Sequence, residues 1–389
     1  MGFDLNKAPF LPSAAVAFAA LTTGLAAPGS AGAQPSAAEI DQCMAMAAEA
    51  LDFTGAALVA RRDARLSAAA YGVADTETGR PNRVDTPFHT GSMGKMFAAV
   101  AIARLVEAGK LGFDDRVGDH VPDLPEAFGR VTIGQLLSHT AGYGDFFGPG
   151  NMAAVRAARS TADFLPLILA QEPDFAPGER FRYSNSGFAM LGIVVEEVSG
   201  QSYEDFLRKE IFEPAGMTGV HFEITPDAAI GMTRATPTGE RSETPRRSPA
   251  MDTYGMAAGG IFSTVGDMHR FMAALLDGRL LKPETVAILH SRHAGEENPR
   301  RGRAVNYGYG FILEAEIGAV GHGGGGPGVN GDLRGHPETG WIVAALGNAD
   351  PPQASLMMRR LDNFVIGEGD LAACGAPAPQ RVMMRRPGE

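Results

Sequence analysis

Thr90-Gly91-Ser92-Met93-Gly94-Lys95-Met96-Phe97 sets a serine hydroxyl and a lysine amine three residues apart. On a helical turn that spacing puts both groups on one face. A serine hydroxyl is a weak nucleophile until a neighbour removes its proton, and a partly desolvated lysine can help do so. The chain holds 16 Ser and 5 Lys in 389 residues, so chance supplies roughly 0.2 such pairs. The competing reading is an ordinary helix start, with Ser92 as a cap and Lys95 at the surface.

Downstream, Met93, Met96, Phe97, Val100, Ala101, Ile102, Leu105 and Val106 recur at helical spacing, and Gly109 closes the run. Upstream, 55–60 and 66–73 flank the polar turn Arg61–Arg65 and read as a β-hairpin. Residues 37–52 have helical spacing, as do 186–198 and 202–212. Thr132 caps a short helix through Leu137, and Ser263-Thr264 opens another with Asp267 in its first turn. Residues 226–250, rich in Pro, Thr, Arg and Glu, predict a long exposed loop. The last third predicts strands at Tyr307–Leu313, Val329–Arg334 and Trp341–Leu346, then a helix from Gln353 to Ile366. Strands at both ends with helices between predict an α+β fold, an antiparallel sheet from both chain ends with an inserted, mainly helical region.

A net charge of −11 without a basic stripe argues against nucleic-acid binding. Lys7, the apolar run 14–27 and Ala31-Gly32-Ala33 predict a cleaved export signal over 1–33, leaving a periplasmic or secreted protein. No other stretch is long and apolar enough to span a bilayer. The domain is expected over 34–372, its sheet part about 37–90 and 255–370 and its helical part about 93–225. The Pro- and Arg-rich end, 373–389, is expected to be a disordered tail.

Two further motifs carry chemistry. Tyr183-Ser184-Asn185 precedes the strong helix at 186–198. A phenol whose proton is withdrawn by nearby cations can act as a base, and a carboxamide two residues on can hold a carbonyl or orient Lys95. Gly321-His322-Gly323-Gly324-Gly325-Gly326 lets the backbone approach a substrate closely and present N–H groups. No Lys-Ser/Thr pair follows it, so a phosphate loop is disfavoured. The chain has no G-x-S-x-G elbow, which excludes an α/β-hydrolase. It has no H-E-x-x-H, and His290 with His293 lacks an obvious third ligand, so no metal or other cofactor is expected.

Ser92-Lys95, Tyr183-Asn185 and His322-Gly323-Gly324, in this order and separated by 91 and 230 residues from Ser92, resemble the serine β-lactamase and penicillin-binding-protein superfamily. The likeness is greatest to its class C-like branch of β-lactamases, D-alanyl-D-alanine carboxypeptidases, D-aminopeptidases and family VIII esterases. Leu136–Gly142, Gly259–Thr264 and Leu346-Gly347-Asn348 also look familial, and the resemblance covers about 50 to 366.

The resemblance implies the β-lactamase/transpeptidase-like fold and an acyl-enzyme on Ser92. Lys95 and Tyr183 would share the proton work, either one as base. The backbone N–H groups of Ser92 and Gly325 would form the oxyanion hole. Asn185, His322, Gly323 and Gly324 would bind substrate, and His139 would be a structural loop residue. The class C lysine is replaced by His322, and a threonine by Gly323. A fixed cation is lost, which favours small esters or D-amino-acid peptides over β-lactams. The alternatives are a β-lactamase and a non-catalytic penicillin-binding or sensor protein on the same fold. In that fold the first and last helices pack side by side, so Cys43 and Cys374 are expected to pair after export.

Overall fold

The computed structural model describes residues 34–148, 150–236, 241–298 and 303–378. The expected export signal lies outside these residues, as does the expected tail from 379 onward; at the start of that tail, Ala373 and Cys374 instead belong to a short helix, Leu371–Cys374, and Cys374 is buried. Helix α1 (Ala37–Leu51) starts at a Ser36–Glu39 capping box, which satisfies two of its orphan N–H groups. The main sheet has eight strands, numbered here in chain order: β1 (Gly55–Arg61), β2 (Arg65–Tyr71), β3 (Ala294–Asn298), β4 (Arg303–Tyr307), β5 (Ile312–Glu314), β6 (Ala319–Gly326), β7 (Val329–Gly335) and β8 (Trp341–Gly347). Their spatial order is β2-β1-β8-β7-β6-β5-β4-β3, and every neighbouring pair is antiparallel. The N-terminal hairpin therefore joins the C-terminal strands through β1 and β8, from Gly55–Gly347 to Arg61–Trp341.

Both faces of that seam are buried, which explains its unbroken apolar reading. Ala57, Val59, Trp341, Val343 and Ala345 pack on α1 and on the C-terminal helix Gln353–Ile366. Ala56, Leu58, Ala60, Ile342, Ala344 and Leu346 face the larger core. Three further helices enter that core: α2 (Gly94–Glu107), α3 (Asn185–Ser199) and α4 (Val265–Leu276). Ser184 caps α3 by accepting from Gly187 N–H, and Thr264 caps α4 by accepting from Asp267 N–H.

Three sequence expectations change. The expected loop at 226–250 contains an antiparallel pair, Met232–Ala235 with Arg241–Arg247. Its residues are mostly polar and, Thr233 apart, at least partly exposed where described, so no period-2 apolar signal marks it. The expected strand Tyr307–Leu313 is two strands, β4 and β5, joined by a turn in which Gly308 N–H donates to the Phe311 carbonyl. The expected helix 202–212 contains a π segment at Arg208–Phe212.

Cys43 and Cys374 form a disulfide, with Cα atoms 5.2 Å apart. Cys374 closes a short helix, Leu371–Cys374, and both cysteines are buried in the layer behind the seam. A bond enclosing most of the chain constrains the unfolded state strongly in the chain-entropy model. The Cys43→Ala/Cys374→Ala variant should lose about 2–5 kcal/mol in urea unfolding, and reductant should bring wild type to the same midpoint. An unchanged midpoint in both would show that the bond adds no stability.

Candidate active site

Ser92 sits on a 3-10 turn, Gly91–Met93, that runs directly into α2. This turn is clamped from two sides. Thr90 donates its N–H and its hydroxyl to the Ile261 carbonyl, at 2.9 and 2.6 Å. Gly260 N–H donates to the Gly91 carbonyl at 3.2 Å. The fit tolerates no side chain at either contact. A Cβ on Gly259, whose φ is 139°, would stand 2.2 Å from the Gly91 carbonyl oxygen. A Cβ on Gly324 of β6 would stand 2.0 Å from the Thr90 oxygen and 3.0 Å from the Ser92 nitrogen. The two glycine-containing stretches thus bring the backbone against the serine.

Lys95 is fully buried one turn along α2. Its Nζ donates to Asn185 Oδ1 at 2.8 Å and to the Ala258 carbonyl at 2.7 Å. Burial pulls the amine down to about 7, against the opposing charge of Asp145. Asp145 also fixes Asn185. Its Oδ2 accepts from the Asn185 side chain at 2.9 Å and from the Asn185 backbone at 3.0 Å. A carboxylate can only accept, so the Asn185 amide nitrogen faces Asp145 and its oxygen faces Lys95.

Tyr183 is 36 % exposed, yet desolvation around its hydroxyl raises the phenol well above its ordinary range. A hydrogen bond with Ser92 opposes that rise. Lys95 Nζ lies 4.7 Å from the Tyr183 ring centre. The expected withdrawal of the phenolic proton by cations is therefore outweighed by burial, and the phenol stays protonated at neutral pH. His139 supports the motif from behind. Its Nδ1 accepts from Ser184 N–H at 3.2 Å, and its ring lies 4.3 Å from that of Tyr183. Burial keeps this imidazole neutral.

The structure brings Ser92, Lys95, Tyr183 and Asn185 together. Ser92, Asn185, Gly325 and Gly326 line a cleft of about 800 Å³. His322 does not line it. This residue is 2 % exposed, with Nε2 2.9 Å from the Tyr307 hydroxyl and Nδ1 2.5 Å from the Gly323 carbonyl. The neighbouring Gly323 lies against the Asp332 side chain, and Gly324 abuts the serine turn. Sequence reading missed Asp145 and the outer wall, which includes Phe147, Met152, Arg156, Arg246 and Met256. For Asp145 the available signal was a lone acid in the otherwise uncharged run Tyr143-Gly144-Asp145-Phe146-Phe147. The outer wall had none, because its residues come from distant segments.

A family model described as Beta-lactamase matches residues 39–365. Penicillin-binding protein 4 of Amycolatopsis lactamdurans is 33% identical over 313 residues, covering 76% of this chain and 80% of that protein. The putative penicillin-binding protein PbpX of Bacillus subtilis (strain 168) is 31% identical over 268 residues, covering 68% of this chain; the chain spans only 63% of its length. Among solved structures, a penicillin-binding protein from Bacillus halodurans superposes with a TM-score of 0.74 at 30% identity, covering 82% of this chain and 98% of that one. D-amino acid amidase from Ochrobactrum anthropi SV3 shares the fold, with a TM-score of 0.71 at 22% identity over 85% of this chain and 98% of that one.

The packing at Gly324 generates a direct test. Gly324→Ala should force the serine turn and β6 apart, at a cost of about 1–3 kcal/mol for overpacking. Covalent labelling of Ser92 by a fluorophosphonate should fall in step. Wild-type stability and labelling in that variant would refute the close approach.

Proposed function

The chain belongs to the beta-lactamase family, and on that footing we propose that it is a serine hydrolase working through an acyl-enzyme on Ser92. The observation that carries this reading is the state of Lys95. A neutral amine has two N–H groups and one lone pair. Asn185 Oδ1 and the Ala258 carbonyl take up both N–H groups. The lone pair is then free to accept a proton, which Ser92 can deliver directly or through the Tyr183 hydroxyl bonded to it, and an amine near 7 is substantially neutral at physiological pH. Lys95 is thus the base. Tyr183, held as a phenol beside Ser92, passes a proton rather than removing one.

Ser92 Oγ bonds to the substrate carbonyl carbon while its proton moves to Lys95 Nζ. The carbonyl oxygen, now an oxyanion, takes hydrogen bonds from the N–H groups of Ser92 and Gly325. The bond to the leaving group breaks, and the leaving group receives the proton held on Lys95, directly or through Tyr183. Water then attacks the acyl-enzyme and gives a proton to Lys95. The Ser92–acyl bond breaks, Ser92 recovers its proton, and the acid departs.

The proposed substrates are small esters or amides of the D-amino-acid type, handled by an exported enzyme. Supporting this choice are the missing fixed cation in the third motif and the kinship with penicillin-binding proteins. No helix among the described residues is long and apolar enough to cross a membrane.

Ser92→Ala should abolish fluorophosphonate labelling and p-nitrophenyl butyrate turnover with the fold intact by circular dichroism. Retained turnover would end the mechanism, and an unlabelled wild type would indicate a non-catalytic binding protein instead.

The rate should also report Lys95. Below its folded value the amine is an ammonium and cannot accept, so kcat/KM should rise with pH, tenfold per unit, and level off above about 7. Asp145→Asn removes the charge that holds Lys95 up and the acceptor that orients Asn185. The rising limb should shift to lower pH and kcat should drop at least about tenfold. A limb that stays in place would separate Asp145 from Lys95.

A further inference from the structure

Two arginines on the wall of the serine cleft lack the partners that their neighbours have. Arg156 follows Met152 by one helical turn in Met152–Ala157, and both side chains line the cleft. Among the described residues its guanidinium makes no hydrogen bond or ion pair. Arg246 reaches the same cleft from the strand Arg241–Arg247. Its guanidinium donates to the Ala235 carbonyl at 2.8 Å, itself on the cleft wall, and meets no carboxylate among the described residues. Adjacent arginines are neutralised: Arg247 pairs with Asp252 at 2.9 Å, Arg182 with Asp174 at 2.6 Å, and Arg159 lies 3.7 Å from Glu223.

The acids are missing on the cleft side too. Of the 45 Asp and Glu in the chain, none is among the described residues lining this cleft. A protein of net charge −11 thus carries a cationic cleft beside its serine. Such a cleft focuses a positive potential and draws anions toward it. The same wall also carries apolar side chains, Phe147, Met152, Pro249, Met256 and Val329. Phe147 is 41 % exposed, an apolar surface awaiting cover.

We propose that Arg156 and Arg246 form an anion subsite that binds a carboxylate at the far end of an apolar acyl chain delivered to Ser92. The proposal rests on the serine-hydrolase reading and names its substrate class. The two arginines come from separate elements, a short helix and a hairpin, and stand apart from the third motif, whose His322 does not line the cleft. Guanidinium groups suit this role because they stay charged at every physiological pH and can hold a carboxylate by two parallel hydrogen bonds.

The test compares two esters of equal chain length, mono-p-nitrophenyl adipate and p-nitrophenyl hexanoate. Wild type should prefer the adipate by at least about tenfold in kcat/KM, expressed in KM, and the preference should shrink in 0.5 M NaCl. In Arg156→Gln/Arg246→Gln the adipate-to-hexanoate ratio should fall to near one. Equal use of the two esters by wild type, or a ratio that survives in the double variant, would overturn the subsite. Calorimetry with sodium hexanoate separates this result from failure of the hydrolase reading. If neither ester is turned over and Ser92 takes no label, that reading falls. Saturable hexanoate binding that the double variant loses would still support the subsite, and absence of binding would overturn it.

Discussion

A lysine amine sealed from water needs acceptors for its protons, and this requirement organises the whole cleft. Lys95 is fully buried, and its two acceptors lie 90 and 163 residues further along the chain. Asn185 arrives at the start of α3, and the Ala258 carbonyl arrives in the loop before Gly259. Each must sit within hydrogen-bond reach, because an unpartnered buried amine costs far more than one such bond returns. The same demand recruits Asp145, which determines which end of the Asn185 amide faces the lysine.

Holding so many groups in place needs a rigid support, and the seam between β1 and β8 provides it. Helices cover both of its faces, and each buried Val, Leu or Ile contributes about 1.5–3 kcal/mol relative to exposure. The serine turn then docks on β6 and on the Gly259–Ile261 segment, by close backbone contacts and one hydrogen bond from the Thr90 hydroxyl. Thr90, Gly259 and Gly324 meet there at distances that leave no room for a Cβ on either glycine. Precision at the nucleophile comes from main chain against main chain, where few rotamers remain to blur it. The disulfide between Cys43 and Cys374 ties the two chain ends together behind the seam.

Much of this is legible in the sequence. The helical stripe after Ser92 became α2, the Thr132 and Thr264 caps formed as read, and the hairpin around Arg61–Arg65 became β1 and β2. These signals are local, set by side chains within a few residues of one another. The hairpin at 232–247 left no such trace, since most of its residues are polar and few of them are buried. His322 was read as a substrate contact from its motif. The fold instead turns it inward against Tyr307, a pairing made across β4 and β6.

By itself the sequence determined the family, the α+β architecture and the grouping of Ser92, Lys95, Tyr183 and Asn185, because motif spacing and periodicity survive without knowledge of contacts. Tertiary structure alone decided how these groups differ in proton affinity. Tyr183 and Lys95 are equal candidates on paper, and only desolvation separates them, raising the phenol and lowering the amine. It also decided the character of the cleft, where Arg156 and Arg246 meet no acid among the described residues although acids outnumber bases along the chain. Charge and burial at a point in space are sums over segments far apart in sequence, so only the folded chain defines them.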